Sequence, residues 1–144
     1  RKYLAEKSKC NNSDCKTISK SEKDLKFIQN NGFCINCTVD REHDLRTAGV
    51  FEEYQNYKVW TRMIVFGKTK LEELKQSLLD VRPFYEYVNE NGSTERWDLP
   101  NSVEDTKKEI QDMINTGEGE ITELESKRNL AFDVLKEKNY EHYI

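Results

Sequence analysis

Cys10, Cys15, Cys34 and Cys37 are the only cysteines in this chain of 144 residues, and all four lie within its first 37 positions. Their spacing is C-x4-C, a gap of 18 residues, then C-x2-C. Thiolates are strong ligands for a divalent ion of borderline softness, and two close pairs can bring four of them together after a single reversal of the chain. That is the pattern of a zinc finger. Two disulfides in a secreted domain, or free thiols, are the alternatives. Disulfide scaffolds spread their cysteines along the chain, however, and here the last 107 residues contain none. Four thiolates close a tetrahedral coordination sphere and leave no position for water or substrate, so the expected Zn2+ is structural rather than catalytic.

Little else in the sequence has the form of reaction chemistry. There is no G-x-x-x-x-G-K-[ST], no G-x-G-x-x-G, no H-E-x-x-H and no G-x-S-x-G. His43 and His142 each stand without a carboxylate or nucleophile partner in any motif and are expected at the surface. The pairs Glu52-Glu53 and Glu72-Glu73 fall on helical stretches where acidic residues ordinarily solvate an outer face. No enzymatic activity and no small-molecule substrate are expected.

The elements that must hold the four cysteines are short. Ser19 followed by Glu22 has the form of a capping box before a helix over about residues 20–30, which Asn30, Asn31 and Gly32 would stop. Cys34 and Cys37 then open a second helix, about 38–48, ended by Gly49. A C-x2-C at a helix start lets the unpaired amide groups of the first turn stabilise thiolate charge, the way treble-clef fingers hold their second ligand pair.

From Val50 the pattern lengthens. Trp60, Ile64, Gly67, Leu71, Leu74, Leu78 and Val81 alternate by four and three, and so do Val103, Lys107, Ile110, Ile114, Gly117, Ile121, Leu124, Arg128, Ala131 and Leu135. Both are coiled-coil seams. Folded back antiparallel, the facing layers (81 with 103, 74 with 110, 71 with 114, 64 with 121, 60 with 124) keep a nearly constant residue sum, and Gly67 falls opposite Gly117. Gly117 and Gly119 could instead break the second helix in two. Arg82-Pro83 ends the first helix, and Ser102, with Asp105 three residues on, caps the second. Between them the Asn91-Gly92 pair predicts a two-residue turn joining two strands over about residues 84–98. The predicted fold is therefore mainly α: a small treble-clef-like head over 1–49, then over 50–144 an antiparallel helical hairpin (helices about 50–82 and 102–139) with a β-hairpin tip.

Composition fits a thin seam better than a thick core, with 35% charged residues, 35% hydrophobic residues and a mean hydropathy of -0.92. No apolar stretch approaches the ~18–20 residues of a membrane helix, and no signal peptide is visible, so the chain is expected to be soluble and intracellular with no membrane partner. Net charge is -4, unevenly spread: residues 1–37 hold eight Lys/Arg against four Asp/Glu, and residues 38–144 hold fifteen against twenty-three. A tetrathiolate zinc centre adds a formal charge of about -2 to the basic head. Two contact surfaces follow. One is the aromatic tip, with Phe84, Tyr85, Tyr87 and Trp97 as candidate protein-binding residues. The other is the head lysines 7, 9, 16, 20, 23 and 26, with Lys20, Lys23 and Lys26 as candidate nucleic-acid contacts.

The run EKDLKFIQNNGFCINC, then an acidic helix and LRTAGVFEEY, resembles zinc-ribbon proteins encoded by tailed bacteriophages. The matching positions are Cys34, Cys37, Leu45, Arg46, Gly49, Phe51, Glu52, Glu53, Tyr54, Asn91, Gly92, Glu95, Arg96 and Trp97, within residues 10–100, and the first pair here is x4 where those proteins have x2. The resemblance implies a phage origin, and virion or host cytoplasm as the location, without implying an activity. A second similarity, of architecture alone, is to the zinc-finger coiled-coil regulators that insert a helical arm into bacterial RNA polymerase. Together the features point to a zinc-binding structural or assembly component, a virion protein whose head and tip dock on other proteins of a phage assembly. The alternative is a nucleic-acid or transcription-complex binding factor that uses the basic head.

Overall fold

The computed structural model describes residues 9–17 and 21–144, so Lys7, Ser19 and Lys20 lie outside the described residues. The described chain is mainly helical, with four α-helices and one antiparallel two-stranded sheet. The elements in order are α1 (Glu22–Asn31), α2 (Ile35–Thr47), α3 (Phe51–Leu79), β1 (Phe84–Val88), β2 (Thr94–Asp98), α4 (Val103–Glu137) and a 3-10 turn (Glu141–Tyr143). They form two compact units: Arg1–Gln55 with Phe132–Ile144, and Asn56–Ala131. The first unit takes in both the cysteine-bearing head and the last residues of the chain.

In the first unit, α1 begins two residues later than Ser19 and Glu22 suggest. Its cap is Ser21, whose Oγ accepts from the Asp24 N–H at 3.2 Å while the Asp24 carboxylate accepts from the Ser21 N–H at 3.2 Å. Asp reaches back as Glu would, so the capping box survives in a different register. Gly32 ends α1 at φ 80, in the left-handed region. Helix α2 starts at Ile35, ahead of the expected residue 38, because Cys34 is already the extended N-cap residue and its carbonyl takes the Thr38 N–H at 3.0 Å. Its exit is a Schellman motif: Gly49 at φ 72, with Val50 N–H on the Leu45 carbonyl at 3.0 Å and Gly49 N–H on Arg46 at 3.1 Å. Leu45 and Val50 are fully buried. Helix α4 ends the same way with Asn139 at φ 61, and Tyr140 N–H on the Leu135 carbonyl at 2.8 Å turns the last residues back.

In the second unit, Ile64 and Leu71 of α3 share a buried cluster with Ile114 and Ile121 of α4, flanked by Leu74, Leu78, Ile110 and Leu124. Residue numbers rise along α3 as they fall along α4: Lys68 pairs with Glu125 at 2.7 Å and Lys75 with Glu118 at 3.2 Å. The two runs are therefore antiparallel here. A Cβ on Gly117 would lie 2.8 Å from Leu71 Cδ2, and one on Gly67 would lie 3.3 Å from Ile121, so both glycines let an apolar side chain press onto bare backbone. Helix α4 runs unbroken through Gly117 and Gly119. Near its start the half-buried layer is Thr106, and Lys107 is exposed, which corrects the sequence assignment of Lys107 to the seam. Spacings of three and of four both continue a seam from Val103, and the shorter keeps the ammonium in water.

Helix α3 stops at Leu79, three residues short of the expected end. The Tyr85 hydroxyl donates to the Asp80 carbonyl at 3.2 Å, and Arg82 pairs with Asp80 at 2.6 Å. Ser102 caps α4, its Oγ accepting from Asp105 N–H at 3.0 Å. The strands pair as Phe84↔Asp98, Tyr85↔Trp97, Glu86↔Arg96, Tyr87↔Glu95 and Val88↔Thr94. Their connection is not the expected two-residue turn. Asn89 N–H bonds the Ser93 carbonyl at 2.8 Å and Gly92 N–H the Asn89 carbonyl at 2.8 Å, leaving three residues, Glu90, Asn91 and Gly92, in the loop with Gly92 at φ 81. That is a turn closed by a left-handed glycine, and it puts Asn-Gly one position later than a two-residue loop would.

Candidate functional site

The Sγ atoms of Cys10, Cys15, Cys34 and Cys37 all lie within 4.8 Å of one another, and none of the four is in a disulfide. Cys15 and Cys34 are 3.7 Å apart. A disulfide needs about 2.05 Å. Thiolates at about 2.3 Å from a tetrahedral ion sit about 3.8 Å from one another, so the observed separation has the scale of a shared metal ion. Cys34 and Cys37 are buried, packed with Ile28 against Cys10, Cys15 and Phe33.

Three devices hold the two pairs together. The Asn11 N–H bonds the Gly32 carbonyl at 2.8 Å, and a Cβ on Gly32 would meet Asn11 Nδ2 at 2.6 Å, so Gly32 serves both as helix stop and as seat for the first cysteine loop. Asn12 shapes that loop, its Oδ1 accepting from Asp14 N–H at 3.0 Å and its carbonyl from Cys15 N–H at 3.2 Å. Donors then face the sulfurs: Cys34 N–H to Cys10 Sγ at 3.3 Å, Asn12 Nδ2 to Cys37 Sγ at 3.3 Å, and the Thr17 hydroxyl 3.6 Å from Cys34 Sγ. Hydrogen bonds of this kind orient thiolates and spread their charge, the outer-shell support a metal ligand needs. Cys34 and Cys37 also stand at the N-cap and third position of α2, beside first-turn amides that have no partner within the helix.

The thiols differ in acidity as their surroundings differ. Hydrogen bonds from the Thr17 backbone and hydroxyl draw Cys15 down to about 6. Burial opposes ionisation of Cys34, but hydrogen bonds from the Cys37 backbone and the Thr17 hydroxyl outweigh it and leave that thiol lowered. Burial pushes Cys37 up to about 12. Four thiolates in so small a volume repel one another, and a divalent ion removes that conflict by taking a share of each charge.

The same unit holds a contact with no signal in the sequence. Arg41 of α2 lies over the Phe33 ring at 4.1 Å and over the Tyr143 ring at 4.3 Å, and its guanidinium donates to the Tyr143 carbonyl at 2.8 Å. The Tyr143 hydroxyl donates to Asp44 at 3.1 Å. Phe33 precedes Cys34, so the clamp joins the wall of the cysteine cluster to the last residues of the chain. Arg41 and Tyr143 are 102 positions apart, which puts the pair beyond any local pattern.

At the tip the four aromatics divide by strand face. Tyr85, Tyr87 and Trp97 share one face, and Phe84 lies on the other, half-buried under Arg96 at 3.9 Å. Tyr85 is half-buried with its hydroxyl committed to the end of α3, whereas Tyr87 (55%) and Trp97 (62%) are exposed. Of the head lysines, Lys9, Lys16, Lys23 and Lys26 are exposed, and Lys26 pairs with Glu22 at 2.8 Å. His43 and His142 are exposed too, His142 stacked on Tyr140 and tilted against Tyr143. No helix among the described residues is long and apolar enough to cross a membrane. No protein family matches the chain, and no curated protein or solved structure shows significant similarity to it.

Proposed function

We propose that the protein is a zinc-binding structural or assembly component, of a tailed-phage particle, that docks on other proteins through its head and its hairpin tip and catalyses no reaction. Zinc is the ion the donor set favours: four sulfur ligands in a tetrahedral arrangement suit it, and they leave no open position for substrate. In this reading the head is a treble-clef-like finger ordered by the ion, and the antiparallel helices carry the tip as an arm.

The observation that carries the reading is the exposure of Tyr87 and Trp97 on a ribbon that needs neither ring for a core. Large rings held in water on a rigid support are the usual anchors of protein interfaces. Affinity capture with a tagged chain from infected or native cells tests this, with captured proteins identified by mass. Tyr87→Ala and Trp97→Ala are expected to lose the partner at unchanged melting temperature, with capture only mildly dependent on salt. Capture of nucleic acid, lost on Lys23→Glu with Lys26→Glu and falling steeply with salt as counterions are released, would replace this reading with the nucleic-acid one.

A further inference from the structure

The tip carries hydrogen bonds beyond its strand ladder, at both the loop and the base of the ribbon. Asn91 Oδ1 accepts from the Ser93 N–H at 2.9 Å and from its hydroxyl at 2.6 Å, and Asn89 Nδ2 donates to the Ser93 hydroxyl at 3.1 Å. The far end is tied by Leu99 N–H on the Pro83 carbonyl at 2.9 Å and by the Tyr85 hydroxyl on Asp80. A surface set in advance loses little freedom on binding.

Its charge is one-sided. Residues 84–98 hold four carboxylates, Glu86, Glu90, Glu95 and Asp98, against a single cation, Arg96. Directly paired residues of antiparallel strands project to the same side, so one face carries Tyr85, Tyr87, Glu95 and Trp97. The only charge on that face is a carboxylate. Arg96 belongs to the other face, over Phe84 and paired with Asp98 at 2.9 Å. The aromatic face therefore offers ring surfaces and an anion with no cation of its own. The chain shows elsewhere what such a surface takes: Arg41 lies over Phe33 and Tyr143, and Arg46 over Phe51 at 3.7 Å.

We infer that the Tyr85, Tyr87 and Trp97 face of the tip receives an arginine-bearing segment of a partner protein, with a guanidinium over the Trp97 ring and paired to Glu95. Trp is the strongest ring for a cation and arginine its commonest partner, and the planar guanidinium stacks and pairs with a carboxylate at once. This deepens the proposed docking role of the tip and rests on that reading.

The test uses the full metal-loaded chain and three short Gly-Ser-spaced peptides, bearing three arginines, three citrullines or three glutamates. The two indole N–H resonances report separately on Trp97 and Trp60. The arginine peptide is expected to shift the Trp97 resonance and not the Trp60 one. Citrulline, a neutral isostere, should weaken binding about ten-fold and glutamate should abolish it, while Trp97→Ala and Glu95→Gln should each weaken binding about five-fold, on the scale of an exposed cation–π or ion pair. Trp97→Phe, which keeps a ring, is expected to fall between, and it serves if Trp97→Ala disturbs the ribbon. Equal binding of the arginine and citrulline peptides, binding of the glutamate peptide, or no shift of Trp97 would overturn the inference. So would a Trp97 shift driven by protein concentration alone, since that would make a second copy the occupant. If partner capture depends on Trp97 while no arginine peptide binds, the docking role stands and the arginine assignment falls.

Discussion

The cysteine-bearing head and the paired stretch of α3 and α4 are built on opposite plans. In the second unit the order comes from repetition: Ile64, Leu71, Ile114 and Ile121 bury one another, with ion pairs along one side. In the head, two cysteines and Ile28 make up the buried cluster, and much of what holds the loop and helix together is aimed at sulfur. The second unit is ordered by apolar burial; the described head gathers four cysteines that could hold a metal ion, and an ion bound there is expected to contribute to its folding. The largest expected effect follows. Chelation, or Cys34→Ser, should unfold the head and leave the helical signal of residues 56–131 largely intact, as read by hydrogen exchange resolved along the chain. Because Cys37 is pushed up to about 12, its proton must leave when the ion binds, so the ion should be lost as pH falls and binding should release protons into a weak buffer. Simultaneous unfolding of both units would erase the distinction.

Within the second unit single side chains carry the order. Leu71→Ala removes a buried side chain that also fills the space over Gly117, and should cost about 2–5 kcal/mol in denaturant unfolding while leaving the metal bound. Next in size are the glycines. A methyl at Gly117 meets Leu71 at 2.8 Å, whereas one at Gly119 meets nothing within 4 Å. Gly119→Ala should therefore gain about 0.5–1 kcal/mol from helix propensity, and Gly117→Ala should forfeit that gain and lose about 1 kcal/mol or more as Leu71 is displaced. Equal stabilisation by both would mean the helices are not in close contact at Gly117. The smallest effect is expected at the tip, where Trp97→Ala should shift unfolding free energy by no more than about 0.5 kcal/mol, because the ring is already in water.

These differences also explain what could be read from the residues alone. The cysteine cluster was legible because its information is local: two short spacings, and a C-x2-C leading into a helix. The seam was legible for the same reason, since Leu71 and Ile121 recur with the helical period. The phase at the start of α4 was not, because both Thr106 and Lys107 continue a seam from Val103, and burial of the smaller, uncharged side chain decided it. The loop at the tip was one residue longer than Asn-Gly suggests, because the same pair also serves where glycine closes a three-residue connection. The donors from Asn12 and Thr17 to sulfur carry only a weak signal, polar residues inside and just after the first cysteine pair. Arg41, Phe33 and Tyr143 carry none, because nothing along the chain relates positions that meet only after α3 and α4 have intervened.

In the head, four thiolates are expected to share one ion. Native mass spectrometry of protein purified without chelator, with the same sample denatured and its free thiols counted, tests it directly. The expected result is a single zinc ion per folded chain, four alkylatable thiols after unfolding, and none accessible while the metal is bound. A metal-free chain whose mass is lower by the hydrogens of two disulfides, or four thiols that react freely in the folded protein, would contradict it.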